Sequence, residues 1–430
     1  MPEKARKSQF MRDNSVFMAG TVLGGLLGYA FHFVVSREVS VSQYGELQSL
    51  LSILVIFGVF NSALSFFTVK YTSVFFANGD YGANSQFIGY LAKKVSRHTL
   101  GFLLILLIAS PILARLLHFS SILGFFVVSL ATYFSTVAII YSEILRGWHK
   151  FFLTSVVGVA AALMKFVSGA GFAYALHKAS AVSLSFLASA LVGWYLARYY
   201  SRKNIIEKGE KQTASTWKEK YFSETNMRKS AMNIFFFSLA LILVSNLDVI
   251  LVKYFSSSET TGYFGAFALL GKIILWLNLA VVGVMLPGAC ADGHAGRRPG
   301  KKSLLKSYGL MSLIGIAAVL VYFIAPDIVV QIFFGKKYVF DTGILWLFGV
   351  MSYLLSLLTL EANLSFAKHD FRVVYFLAAT VIFMVAGVAR YHSSLKDVVL
   401  ALTVSYLFGY LFVVVLNLSQ ERKRLKAQTP

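Results

Sequence analysis

The chain has 430 residues, 57% of them hydrophobic and 15% aromatic, with only 14% charged and a mean hydropathy of +0.69. A soluble chain carries nearly twice that charged fraction, and a membrane β-barrel shows short alternating segments where this sequence has continuous apolar runs, so both classes are excluded. The net charge of +21 does not indicate nucleic acid, because the basic residues cluster between apolar stretches, where positive-inside sorting puts them.

The fold class expected is therefore an all-α polytopic membrane protein. Windows of about 20 apolar residues, enough to cross a bilayer as helix, predict twelve spans near 15–36, 46–76, 99–118, 121–146, 152–176, 179–200, 231–255, 263–290, 308–334, 342–367, 373–392 and 397–419. The basic start MPEKARKSQFMR leads straight into the first span, with no cleavable signal pattern. His32, near the outer end of that span, is a packed histidine or a proton relay. The second span is long enough to tilt or to project into the cytoplasm. It carries Asn61 and, nearer its inner end, Lys70, which either snorkels to the interface or lines a cavity. SQFIGYLAKKVSR, ahead of the third span, has an apolar stripe and reads as a helix on the membrane surface. At the inner end of the fourth span, Glu143, Arg146 and Lys150 share one helical face.

Lys165 lies in the middle of the fifth span, too deep to snorkel comfortably. It is a cavity cation or a helix-pairing residue. The longest loop, Arg202 to Lys229, follows the sixth span, and within it TWKEKYFSETNMRKS is a surface helix or a solvated linker. Asp248 and Lys272 fall eleven residues before and thirteen after Glu259, the expected centre of the seventh-to-eighth turn. In an antiparallel hairpin this sets them at nearly the same depth. Either they form a buried ion pair, or Lys272 meets substrate while Asp248 handles a coupling cation. Glu361, near the inner end of the tenth span, is a second carboxylate for ion coupling or a hydrogen-bonded structural group. The single cysteine, Cys290, excludes an internal disulfide and any multi-cysteine metal site.

Of the 40 lysines and arginines, 29 fall in segments that are cytoplasmic if the N-terminus is inside, 8 lie in outer loops or span ends, and Lys70, Lys165 and Lys272 lie within spans. Both termini are thus expected in the cytoplasm. An internal repeat divides the chain: REVSVSQYGELQSLLSILVIFGVFN (37–61) lies without gaps on YFSSSETTGYFGAFALLGKIILWLN (254–278), and LRGWHKFF (145–152) on SFAKHDFR (365–372). Each copy has an even number of spans, so the repeat is of the parallel type. The first alignment pairs Asn61 with Asn278 and sets Phe31 and Val55 where the second half has Asp248 and Lys272. The domains expected are a six-helix lobe over 1–200, a cytoplasmic linker over 201–230, a second lobe over 231–419 and a basic tail over 420–430. The sequence holds no phosphate loop, metal-ligand cluster or nucleophile elbow, and its outer loops are too short for an external catalytic domain. A transporter is expected, not an enzyme.

The hairpin VSREVSVSQYGELQSLLSILVIFGVFNSALSFFTVKY resembles the first hairpin of the polysaccharide-transporter branch of the MOP superfamily, which includes the O-antigen flippases. SNLDVILVKYFSSSETTGYFGAFALLGKI resembles that branch's seventh-to-eighth hairpin, and VVGVMLPG its span-eight ending with Pro287. The resemblance implies two six-helix lobes around a cavity that opens alternately to each side. Its implied cargo is a lipid-linked oligosaccharide on a polyprenyl pyrophosphate. Membrane lipids and glycosyltransferases of the same pathway are the implied partners, and a prokaryotic inner membrane the location. In the related lipid II flippases, cavity arginines come from spans one, two and eight. Here Lys70 and Lys272 fall in two of those spans, while the first has only His32 and the peripheral Arg37.

The candidate substrate contacts are Lys165, Lys272, Lys70, Arg146, Asn61 and Asn278, and Asp248, Glu361 and Glu143 are candidates for ion coupling or structural pairing. Deep cations favour an anionic cargo. The competing class is a cation-coupled multidrug exporter of the same superfamily, and a membrane glycosyltransferase or ligase is the non-transport alternative. No cofactor is expected beyond a coupling Na+ or H+, and no nucleic acid.

Overall fold

The structure, a computed structural model, describes residues 3–210, 224–294, 301–368 and 370–428, with side chains placed for 15–210, 231–281, 305–368 and 370–420. It is all-helical among those residues. The elements are α1 Glu3–Glu38, α2 Val41–Phe57, α3 Val59–Ala77, α4 Tyr81–Leu116, α5 Leu123–Gly147, α6 Phe151–Leu176, α7 Ala179–Ser201, α8 Glu224–Phe255, α9 Ser258–His294, α10 Lys301–Ile324, α11 Pro326–Phe334, α12 Leu345–Ala367, α13 Val373–Arg390 and α14 Leu395–Gln428. Among the described residues, eleven stretches are long and apolar enough to span a bilayer, and the bent pair α2 and α3, taken as one span, makes a twelfth. The chain separates into two compact units, Met1–Phe235 and Phe236–Pro430.

Three expectations change. The second span is broken: α2 and α3 meet at Gly58 with a bend of 40°. The Asn61 N–H turns back to the Gly58 carbonyl at 2.9 Å, a three-residue step that interrupts the regular ladder and bends the rod. The ninth span stops at Ile324, because Pro326 has no N–H to continue the helix and instead opens α11. SQFIGYLAKKVSR is not a separate surface helix but the first half of α4, whose 36 residues run about 54 Å against a hydrocarbon core of about 30 Å. Its apolar stripe is used within unit 1: Phe87, Ile88 and Leu91 pack with Tyr71, Phe75, Ile144 and Trp148. Asn84 accepts the Trp148 indole N–H at 3.0 Å on the same face. Of the linker segment TWKEKYFSETNMRKS, residues 216–223 lie outside the described residues, and Glu224 already belongs to α8.

The repeat holds at the level of single hydrogen bonds. Ser40 Oγ accepts the Gln43 N–H at 3.2 Å at the start of α2, and Ser257 Oγ accepts the Thr260 N–H at 3.1 Å at the start of α9. Tyr44 N–H bonds to Ser40 O and Thr261 N–H to Ser257 O, at 2.9 and 3.0 Å, again at equivalent positions. The second alignment behaves likewise. Lys150 N–H closes the end of α5 on Leu145 O at 2.7 Å, and Asp370 N–H closes α12 on Ser365 O at 3.0 Å. Both are six-to-one bonds of a Schellman ending. The fourth span of each half is its axis: over half of the α5 span and nearly three quarters of the α12 span are buried by protein.

Serine caps of this kind contribute about 1 kcal/mol, so Ser40→Ala and Ser257→Ala should each lower the thermal midpoint of the detergent-purified protein to a similar extent. A second expectation concerns pH. Burial acts to raise the Asp370 carboxyl, but the hydrogen bonds and charge of Arg372 outweigh it and hold the group below its ordinary value. A carboxyl depressed in this way adds stability above its unfolded pKa, near 3.9, which is lost as pH falls through the lower folded value. Acid titration of thermal stability should show this loss in the native chain and a smaller one in Arg372→Ala.

Candidate functional site

In unit 2, Asp248 on α8 and Lys272 on α9 meet, with Lys272 Nζ 3.4 Å from Asp248 Oδ2. The turn between their helices is shorter than expected, because Ser257 caps α9 and draws Glu259 into its first turn. Asp248 thus lies eight residues before Ser256 and Lys272 fifteen after Ser257. Side-chain direction closes the offset. Helical side chains lean toward their own N-terminus, so Asp248 leans away from the turn and Lys272 back toward it. The carboxylate is 1% exposed and the ammonium 17%. Asp248 Oδ1 also accepts its neighbour's backbone N–H, from Val249 at 2.9 Å.

In unit 1, Lys165 is answered by rings instead. Its Nζ stands 4.5 Å from the centroid of the Phe31 ring and 5.6 Å from that of Phe186. Among the described residues no carboxylate pairs with it. The contact depends on Gly169, one turn further along α6, where a Cβ would strike the Phe31 ring. Phe31 is fully buried, whereas α6 as a whole is the span least covered by protein. Beside it His32 is buried, with Nδ1 3.2 Å from the Tyr44 hydroxyl. The same hydroxyl accepts from Gln48 Nε2 at 2.6 Å. Phe31 occupies the repeat position of Asp248. The same place in each half therefore faces a lysine, with a carboxylate in one half and an aromatic face in the other.

Glu361, on α12, is buried and held by two side chains: the Tyr308 hydroxyl from α10 and the Asn417 amide from α14 both donate to its carboxylate. Asn417 is oriented in turn by Ser365 Oγ at 2.8 Å. Glu143 is buried on α5 and pairs at 3.4 Å with Arg146, whose guanidinium also lies over the Phe17 ring at 5.4 Å. Arg146 is thereby neutralised within its own helix. Lys70 is exposed on α3 and has no partner among the described residues. Asn61 and Asn278, equivalent in the repeat, share an unusual state. Asn61 Oδ1, and both side-chain polar atoms of the 1% exposed Asn278, are buried without a hydrogen-bond partner among the described residues.

Two buried charges escaped sequence reasoning. Glu46 accepts the backbone N–H and the hydroxyl of Ser120 at 2.9 and 2.8 Å, tying α2 to the turn before α5. Lys253, read as a span-end residue, is fully buried and bonds to Ser258. Both sit at helix ends, where a charge normally signals the interface, and their burial depends on contacts that no local pattern encodes.

The sequence matches no protein-family model and no curated protein. Solved structures do match. One is the inward-facing conformation of a multidrug resistance MATE family transporter of the MOP superfamily, 11% identical over 95% of this chain and 96% of that one, with a TM-score of 0.71. Another MATE multidrug transporter is 13% identical over 99% of this chain and 98% of its own, with a TM-score of 0.67. The lipid II flippase MurJ, in an inward closed conformation, is 13% identical over 93% and 86% of the two chains, with a TM-score of 0.65. The chain thus shares the fold of these structures, which are of two multidrug transporters and a lipid II flippase.

A buried pair broken on one side costs about 3–5 kcal/mol, because the remaining charge is left uncompensated. Asp248→Asn and Lys272→Met should each destabilise the purified protein on that scale. The double variant should recover most of the loss, read as a coupling in a double-mutant cycle of unfolding.

Proposed function

We propose that the chain moves a lipid-linked oligosaccharide on a polyprenyl pyrophosphate across the cytoplasmic membrane of a prokaryote, by alternating access, in polysaccharide biosynthesis. Both termini lie in the cytoplasm, and glycosyltransferases of the pathway supply the cargo. The observation that carries this reading is Lys165, a span lysine with aromatic rings rather than a carboxylate beside it. A lysine at mid-bilayer costs about 2.5–3.5 kcal/mol on insertion scales, and a ring face returns about 0.5–2 kcal/mol. The rings make the ammonium tolerable without cancelling its charge. A retained positive charge suits a pyrophosphate and repels an organic cation. Asn61 and Asn278 supply amides with unmet hydrogen-bonding capacity, the chemistry that recognises sugar hydroxyls.

The second reading is a multidrug exporter coupled to Na+ or H+. The buried Glu361 with its tyrosine and asparagine partners favours it, as does the fold shared with multidrug transporters. Proteoliposomes separate the two. Outward movement of a fluorescent lipid-pyrophosphate sugar should fall at least about tenfold in Lys165→Ala, since more than 1.4 kcal/mol of charge interaction is removed. Phe31→Asp, which sets a carboxylate under Lys165, should do the same, while Phe31→Leu keeps the charge and retains more transport. Unchanged movement in both Lys165→Ala and Lys272→Ala would overturn the site assignment and leave the fold untouched. Gradient-driven uptake of a fluorescent lipophilic cation, lost in Glu361→Gln and indifferent to Lys165→Ala, would establish the exporter instead.

A further inference from the structure

The first half of α4 has a use that the transport reading does not absorb. With α3, α5, Phe57 at the end of α2 and Ala231 of α8 it walls a cavity of about 570 Å3 within unit 1, inside the range of about 300–1,000 Å3 typical of small-molecule sites. The walls are apolar. At the end away from the lysines it is lined by Phe57 and Phe60, whose rings lie 5.9 and 5.6 Å from that of Phe102. The mouth is basic, with exposed Lys94 and His98 lining it and exposed Lys93 and Arg97 beside them on the same helix.

The geometry of the mouth suits an anion. His98 Nδ1 donates to the Lys94 carbonyl at 2.7 Å, which leaves Nε2 without a protein partner among the described residues. Among the described residues, Lys94 Nζ reaches only the Tyr90 hydroxyl, at 3.3 Å, and no carboxylate pairs with it. Depth agrees: Lys94 lies 22 residues before the other end of α4 at Leu116, about 33 Å along the axis, or one hydrocarbon thickness. The basic mouth is therefore at headgroup level and the aromatic end reaches into the acyl region.

We propose that this groove holds one anionic phospholipid, with its phosphate on Lys94 and His98 and an acyl chain between α3 and α4. A zwitterionic lipid would fill the same apolar space but bring no net negative charge to Lys93, Lys94 and Arg97, each worth about 1 kcal/mol toward an anionic surface. The site does not depend on which cargo is transported.

The test is native mass spectrometry of the full chain in detergent, supplied with equal amounts of phosphatidylglycerol or phosphatidylcholine. One phosphatidylglycerol should be retained at least about tenfold more tightly than phosphatidylcholine. The double variant Lys94→Glu with His98→Glu, which changes only exposed side chains, should abolish that preference. Ala63→Trp, which fills the middle of the groove, should lower retention by a similar factor. Ala63→Leu serves if the tryptophan variant shows a lowered thermal midpoint. Equal retention of phosphatidylcholine would overturn the proposal. So would displacement of the lipid by millimolar inorganic phosphate, or unchanged retention in the groove-filling variants, which would mean diffuse surface charge and no built site.

Discussion

A lysine ammonium inside a bilayer span must be answered by something the helices supply, and the rest of the polar architecture follows from how that is done. The second half uses an acid: Asp248 sits under Lys272 and the pair is closed on itself. The first half uses rings: Phe31 and Phe186 sit under Lys165, and no carboxylate pairs with it among the described residues. Because Phe31 and Asp248 occupy one repeat position, the two halves share a scaffold and differ in the group that meets a lysine at that point.

The scaffold that makes this comparison exact in register is local and modest. A serine cap, a backbone bond across the turn and a six-to-one helix ending recur in both halves. These bonds satisfy the backbone groups that every helix end leaves unpaired, so they tolerate little change. Side chains along the spans are free to diverge once the ends are held. That is why alignment is clearest at the turns and fades where the halves have taken different roles.

Much of this was legible in the sequence. Hydropathy located the spans because a bilayer demands long apolar helices, and the hairpin around Ser257 placed Asp248 and Lys272 near each other because antiparallel depth is simple counting. The bend at Gly58 was not legible, since one altered backbone hydrogen bond leaves no mark on hydropathy. The stripe of Phe87, Ile88 and Leu91 was visible, but its partner was misjudged: an amphipathic helix looks the same whether it lies on lipid or packs on Trp148. The Phe31 ring under Lys165 joins the first span to the fifth, and no spacing rule connects them. The groove beside α4 is a still more distant product, made where five helices meet beside a kink.

The even number of spans in each half has a consequence for synthesis. A half that enters and leaves on one face carries its whole topological instruction within itself, in its own basic loops. The second half need not inherit its orientation from the first as the ribosome delivers it. The charged segment between α7 and α8 is then a join between two insertion programmes, where the chain could be interrupted without turning either half over in the membrane.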